Sequence, residues 1–280
     1  MIRTILVPTD FSKNADNATV YAFELAKSNN AKIILLHAID NVALIPDTPF
    51  QYNEQEKSQL ESYSANHIKT IIEKARKAEL NCECINVTGH TIDVILECII
   101  SKKPDLIIMG TKGAGGIDKV VFGINTSKVM EHSKCAVIAI PENVLFQPIK
   151  NITYCTNFHE SDIDALKKLI DIGESSGANI TLLHVSEEKT LKPNEEEFIN
   201  KLKNHFDRTK LNFNLTYGKS LVEALDKYRG KGLTDLLGIS SHLPDLTYNP
   251  LEISRSRERV YQTKIPFIIF HYKESPVFII

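Results

Sequence analysis

The chain reads as an α/β protein of two tandem five-stranded, mostly parallel sheets with helices on both faces. Three observations predict this. Short apolar runs alternate with amphipathic stretches of helical period, the pattern of strand–helix–strand crossover units. The 280 residues suffice for two ordinary domains. A weak internal repeat maps the second half onto the first.

In the repeat, Ala31, Ile33, Leu35, Leu36 and His37 recur as Ala178, Ile180, Leu182, Leu183 and His184, and Thr9 and Phe11 recur as Thr156 and Phe158. These pairs stand 147 positions apart, as His37 and His184 do. Farther on, Gly89 aligns with Gly218, and Asp105-Leu106 with Asp235-Leu236, at offsets of 129 and 130. The second copy is therefore shorter by about 18 residues between its second strand and the next helix. The connector Pro141 to Lys150 carries Pro141 and Pro148, and places the domains at 1–145 and 146–280.

The elements follow in order. Thr4–Val7 is a buried strand ending at Pro8. Asn14–Lys27 is a helix with Ala18, Tyr21, Ala22 and Leu25 on one face. Lys32–His37 is the second strand. Glu54–Ala78 sets Leu60, Tyr63, His67, Ile71, Ile72 and Ala75 at helical spacing. Cys82–Val87 alternates as a strand, and Thr91–Lys102 is a helix carrying Ile92, Ile95, Leu96, Ile99 and Ile100. Leu106–Met109 is a continuous apolar strand ending in Gly110; a helix near Asn125–Ser133 and a strand Ala136–Ile140 complete the copy. The second copy places strands near Ile152–Cys155, Ile180–Val185, Phe213–Tyr217, Leu233–Ile239 and Phe267–His271. Such sheets are covered on both faces, and right-handed crossovers leave few topologies.

Composition excludes several classes. A net charge of -2 gives no general pull toward nucleic acid or anionic membrane. No apolar run approaches a membrane span, and Met1–Val7 runs straight into a strand instead of a signal peptide. The five cysteines, Cys82, Cys84, Cys98, Cys135 and Cys155, form an odd, sparse set, which points to a reduced, cytoplasmic chain. Cys82 and Cys84 share a strand face and read as packing; a zinc site would need more ligands at suitable spacing. No metal site is expected.

Ligands of open parallel sheets bind beyond the carboxyl ends of strands, where the strand order reverses. Three segments emerge there: Pro8-Thr9-Asp10-Phe11-Ser12, Ala38-Ile39-Asp40, and Gly110-Thr111-Lys112-Gly113-Ala114-Gly115-Gly116. The third packs four glycines into seven residues, which suits backbone amides cradling a phosphate. The helix starting near Gly123–Thr126 adds free N–H groups and a positive dipole end, and Lys112 adds a charge. A Walker A loop is excluded, because Gly116-Ile117 stands where Lys and Ser/Thr are needed. A dinucleotide fingerprint begun by Gly113 and Gly115 breaks at Asp118.

Gly110-x2-Gly113-x9-Gly123 resembles the nucleotide-binding signature of the universal stress protein family. Ile5–Ser12 resembles that family's opening, Leu35-Leu36-His37-Ala38 its second strand, and Cys135–Pro141 its closing strand. The resemblance implies an adenine nucleotide alpha hydrolase-like, Rossmann-like fold and, in some members, an ATP site. By carry-over, Asp10, beside Pro8 and Thr9, accepts hydrogen bonds from the ribose, the Ala38 backbone contacts the adenine, and Gly110, Gly113 and Gly123 let amides surround the phosphates. The family usually has Ser or Thr directly after the third glycine; here Ile124 stands there, followed by Asn125 and Thr126. The lost hydrogen bond is worth roughly 1–2 kcal/mol, about tenfold in affinity; Thr126 reads first as a helix-terminus residue, with a substitute hydroxyl as the alternative.

The second half reads as degenerate. Asn157 replaces Asp10, Ser240-Ser241-His242-Leu243-Pro244 replaces the glycine loop, and no glycine follows Gly238. His37 and His184 read as structural, Glu195-Glu196-Glu197 as the first turn of a helix, and Val277–Ile280 as an apolar end packed on the fold or a neighbour. No HExxH or GxSxG motif is present, and no catalytic residue is assigned.

The expectation is a cytoplasmic, ATP-binding stress-response or regulatory protein, with Mg and with hydrolysis slow at most. Its partner is an adenine nucleotide in the N-terminal domain, not nucleic acid or membrane. The resemblance also implies an intrachain pseudo-dimer and association of two chains. The alternative is a nucleotide-free interaction or small-ligand module that has lost its ATP site. A remoter option is an enzyme using the interdomain cleft.

Overall fold

The computed structural model describes residues 1–40, 54–111, 123–186, 190–206, 211–217, 224, 233–240 and 265–270. The chain divides into two compact units, Ile2–Glu142 and Asn143–Ile280.

The first unit runs β1 (Thr4–Pro8), α1 (Lys13–Asn29), β2 (Lys32–Ile39), α2 (Glu54–Lys77), β3 (Cys82–Thr88), α3 (Thr91–Lys102), β4 (Leu106–Gly110), α4 (Ile124–His132) and β5 (Val137–Ile140). Its strands are parallel in the order β3-β2-β1-β4-β5. The order reverses between β1 and β4, and the ends of the strands at such a reversal are where open α/β sheets bind their ligands. Ile5, Leu6, Val7, Ile107 and Ile108 are fully buried, as strands covered on both faces require.

Local chemistry sets the helix limits. Ser12 caps α1, its Oγ accepting from the Ala15 N–H at 3.2 Å, and Asn30 ends the helix in the left-handed region at φ 52°. Ala18, Tyr21, Ala22 and Leu25 are buried, the expected face. Two other faces are rotated from expectation. On α2 the buried residues include Ser64, Ile71 and Ala75, while Leu60 and Tyr63 are exposed. Ser64 turns inward because its hydroxyl accepts from Asn86 Nδ2 on β3 at 3.1 Å. On α3, Val94 and Cys98 are buried with Ile92 and Ile95, and Ile100 is exposed.

The second unit runs β6 (Asn151–Cys155), α5 (Asp162–Gly173), a 3-10 turn (Glu174–Ser176), β7 (Asn179–Ser186), α6 (Pro193–His205), β8 (Leu211–Tyr217), β9 (Leu236–Ser240) and β10 (Phe267–Phe270). Its strands are parallel in the order β8-β7-β6-β9-β10. Matched strand for strand, this is the order of the first unit. The expected strand from Leu233 starts only at Leu236. Ahead of it, Thr234 pairs its hydroxyl with that of Thr153, and Asp235 turns to accept backbone N–H groups of Lys150 and Asn151 at 3.0 and 2.8 Å. Asp105 does the same for Arg3 and Thr4, at 2.9 and 3.0 Å. The predicted glutamate turn also appears: Glu195 of α6 reaches back to the Lys192 N–H at 2.8 Å.

No helix among the described residues is long and apolar enough to cross a membrane. The apolar end 277–280 lies outside them.

Candidate functional site

The site is built first at the end of β1. The Thr9 N–H donates to the Leu36 carbonyl at 2.8 Å, its hydroxyl accepts from the Phe11 N–H at 3.1 Å, and its carbonyl accepts from His37 Nδ1 at 2.8 Å. His37 therefore serves the backbone, as the structural reading held. Phe11 is held at φ 60°, a conformation uncommon for a bulky residue. Its ring lies 4.2 Å from that of His37 and stacks on His67 of α2 at 4.9 Å. The turn thus pinned leaves Asp10 exposed, with its Oδ1 accepting from the Ser12 N–H at 3.0 Å. Ala38 sits half-buried near the end of β2, and Asp40 just beyond accepts from the Thr91 hydroxyl at 3.2 Å.

The end of β4 is anchored on several sides. A Cβ added at Gly110 would lie 2.8 Å from Asn14 Cγ and 3.0 Å from the Asn14 backbone, so the glycine admits the first turn of α1 against the strand. The Gly110 carbonyl accepts from the Thr126 hydroxyl at 2.8 Å. The Thr111 N–H donates to Ile140, and the Thr111 carbonyl accepts from the Gly123 N–H at 2.7 Å. Thr126 is 4% exposed; its proton is committed to Gly110, so it braces α4 on β4. Ile124 is 73% exposed and its side chain points away from the core.

Helix α4 begins at Gly123 with no side-chain cap and no acidic residue in its first turn. Every other helix with a described start has one or both: Ser12 and Asp16 on α1, Asp93 on α3, Asp162 and Asp164 on α5, Glu195 and Glu196 on α6. Gly123 has φ -62°, which any residue adopts, so its contribution is to leave the helix start uncovered. Of the expected site residues, Pro8, Thr9, Asp10, Ala38, Gly110, Gly123, Ile124, Asn125 and Thr126 cluster around the ends of β1, β2 and β4. Lys112 and Gly113 lie outside the described residues, as do Gly115 and Gly116.

The second unit repeats the frame and fills it differently. His184 Nδ1 donates to the Thr156 carbonyl at 2.9 Å, and Phe158 at φ 59° lies 4.5 Å from the His184 ring. Tyr154 occupies the place of Val7, and Gly238, whose added Cβ would lie 2.8 Å from Tyr154 Cδ2, makes room for its ring. The Tyr154 and Thr156 hydroxyls donate to the buried Asp162 carboxylate at 2.7 and 2.5 Å, and the His159 N–H adds a third donor. Burial pushes the Asp162 carboxyl up, against the pull of those donors. This cluster was invisible in the sequence, where Asp162 is one of several acids opening a helix. Ser241 and His242 lie outside the described residues.

Among the described residues no group of three or more His, Cys, Asp or Glu side chains is gathered as a metal site needs. Cys82 and Cys84 are half-buried, and burial, with Cys84 adding to it, pushes the Cys82 thiol up to about 11.

A parallel sheet in the order β3-β2-β1-β4-β5, with its open helix start and acidic turn at the switch point, defines a doubly wound α/β protein, a class whose ligands bind at the strand ends. The universal stress protein family model matches residues 1–141, and the chain belongs to that family. The universal stress protein in the QAH/OAS sulfhydrylase 3' region of Thermus aquaticus is 28% identical over 140 residues, half of this chain and 99% of that one. A universal stress protein A-like protein of Arabidopsis thaliana is 24% identical over 143 residues, 49% of this chain and 81% of that one. The crystal structure of a universal stress protein from Archaeoglobus fulgidus is similar over 97% of both chains, with a TM-score of 0.76 and 16% identity, a likeness of fold.

Proposed function

We propose that the first unit binds an adenine nucleotide, ATP with Mg, as a regulatory ligand in a cytoplasmic stress-response protein. Asp10 accepts from the ribose, the Ala38 backbone meets the adenine, and the start of α4 receives the phosphates. The observation that carries this reading is the start of α4 at Gly123, with neither cap nor acid, beside the end of β4. Such a helix start offers N–H donors and a positive dipole end to an anion. ATP acts here as a bound ligand, and any hydrolysis is slow.

The exposed Ile124 favours a second reading. An apolar side chain where a hydroxyl would meet phosphate fits a nucleotide-free interaction module. The second unit, with Asp162 at its first helix start, holds no second ATP in either reading.

The test is to denature freshly purified protein and chromatograph the released small molecules, then titrate Asp10→Ala with ATP. Released adenine nucleotide, with binding lost in Asp10→Ala, supports the nucleotide reading. No nucleotide released and no binding at millimolar ATP supports the interaction module.

A further inference from the structure

Asn14 has no part in the nucleotide signature, yet it stands between the two halves of the proposed site. It is 4% exposed, in the first turn of α1. Four residues earlier, in the turn that leads into α1, is Asp10: the Ser12 N–H donates to Asp10 Oδ1, and Ser12 Oγ caps the helix at Ala15. On its other side Asn14 fills the space where a Gly110 side chain would be, with Cγ 2.8 Å from that ideal Cβ position. Its amide Nδ2 lies 3.5 Å from Thr111 Oγ1, the outer limit of a hydrogen bond. Thr111 in turn holds the Gly123 N–H at 2.7 Å, where α4 starts. From Asn14 a path of contacts thus runs through Thr111 to Gly123, the helix start proposed for the phosphates, and Asp10 of the turn proposed for the ribose joins it only along the chain, through Ser12.

We propose that Asn14 is a positioning residue for the phosphate end of the site, acting through Thr111 and Gly123. The inference rests on the nucleotide reading above. The second unit supports it by contrast. Ser161 stands 147 positions after Asn14, and its hydroxyl lies 2.6 Å from His159 Nδ1 within its own turn. The side chain that reaches across to β4 in the first unit is replaced by one that bonds locally in the unit proposed to hold no nucleotide.

The mechanism predicts a loss confined to the phosphates. Asn14→Asp keeps the shape but removes the amide donor: the Thr111 hydroxyl must turn its own proton to the carboxylate, whose charge repels any phosphate beyond it. Asn14→Ser installs the residue of the second unit and cannot span to Thr111. Affinities for ATP and for adenosine are measured on the full chain by competition against a fluorescent ATP analogue, with thermal melts alongside. Asn14→Ser, which adds no charge, is expected to weaken ATP by several-fold through the lost Thr111 contact, and Asn14→Asp by about tenfold through repulsion of the phosphates. Adenosine should change by less than about twofold in both, a difference too small to reflect a lost contact.

Should Asn14→Asp fail to fold, Asn14→Ser carries the same comparison. Equal losses for ATP and adenosine would make Asn14 a packing residue and overturn the proposal, as would unchanged affinity for both. Asp10→Ala separates the two levels, since it should lose both ligands. Wild type that binds neither, or Asp10→Ala that loses nothing, overturns the nucleotide site itself and this proposal with it.

Discussion

His37 donates from Nδ1 to the Thr9 carbonyl at 2.8 Å, and His184, 147 positions later, repeats the bond to Thr156 at 2.9 Å. Each histidine fixes the turn that leaves the first strand of its unit, with a phenylalanine in the left-handed region against its ring. The ring replaces water at a buried carbonyl, so removing it leaves an acceptor unpaired. His184→Ala should lower unfolding free energy by about 1–3 kcal/mol. His37→Ala should cost less, because His37 is only half-buried. Urea denaturation checks both.

Asp105 and Asp235 each accept two backbone N–H groups at the start of a central strand. Asp105→Ala and Asp235→Ala should each cost about 1–3 kcal/mol, the range of bonds to a charged acceptor. Asn at either position keeps one acceptor oxygen and should cost less. Equal effects of Ala and Asn in thermal melts would remove the capping account.

Two carboxyls, Glu83 in the first unit and Asp162 in the second, should contribute to the pH dependence of stability with opposite sign. Hydrogen bonds from Lys102 and then Lys32 hold the Glu83 carboxyl down, to about 2. Its folded value is below its unfolded one, so its contribution is present above about pH 4.5 and is lost as pH falls toward 2. Asp162 is the reverse. Burial raises its folded value above the ordinary 3.8, so the folded state holds its proton more tightly. Stability from this group is full below that value and falls as pH rises through the raised one. Melting temperature against pH should therefore show a shallower acid limb in Glu83→Gln. Asp162→Asn should lose less, relative to wild type, at pH 7 than at pH 4.

Gly238 and Tyr154 should be energetically coupled. Gly238→Ala drives a methyl to 2.8 Å from the Tyr154 ring, an overpacking cost of about 1–3 kcal/mol. Tyr154→Val, the residue of the first unit, frees the space but leaves the Asp162 carboxylate one donor short. The double variant should be more stable than the sum of the two losses, and a double-mutant cycle in urea measures the difference. Additive losses would contradict the coupling.

The sequence made the strands and the repeat legible, because parallel strands buried on both faces read as continuous apolar runs such as Leu106–Met109; the strand order within each unit came only with the structure. Helix faces were less legible. Ile100 and Tyr63 have the right period but lie at the margin of their stripes, whereas Ser64 is drawn inward by Asn86, a partner far along the chain. In the site, Asp10 and Gly110 stood out by their place after strands. Asn14 did not, since its importance comes from packing on Gly110 across the sheet. Tyr154, Asp162 and Gly238 likewise acquire meaning only together: a large ring, a buried acid and a missing side chain, each unremarked alone.

The central claim is one nucleotide site per chain, in the first unit. Calorimetric titration of nucleotide-stripped protein with Mg-ATP tests it most directly. The account predicts a stoichiometry of about one per chain, abolished in Asp10→Ala. Two sites per chain, or no binding at millimolar ATP, would contradict it.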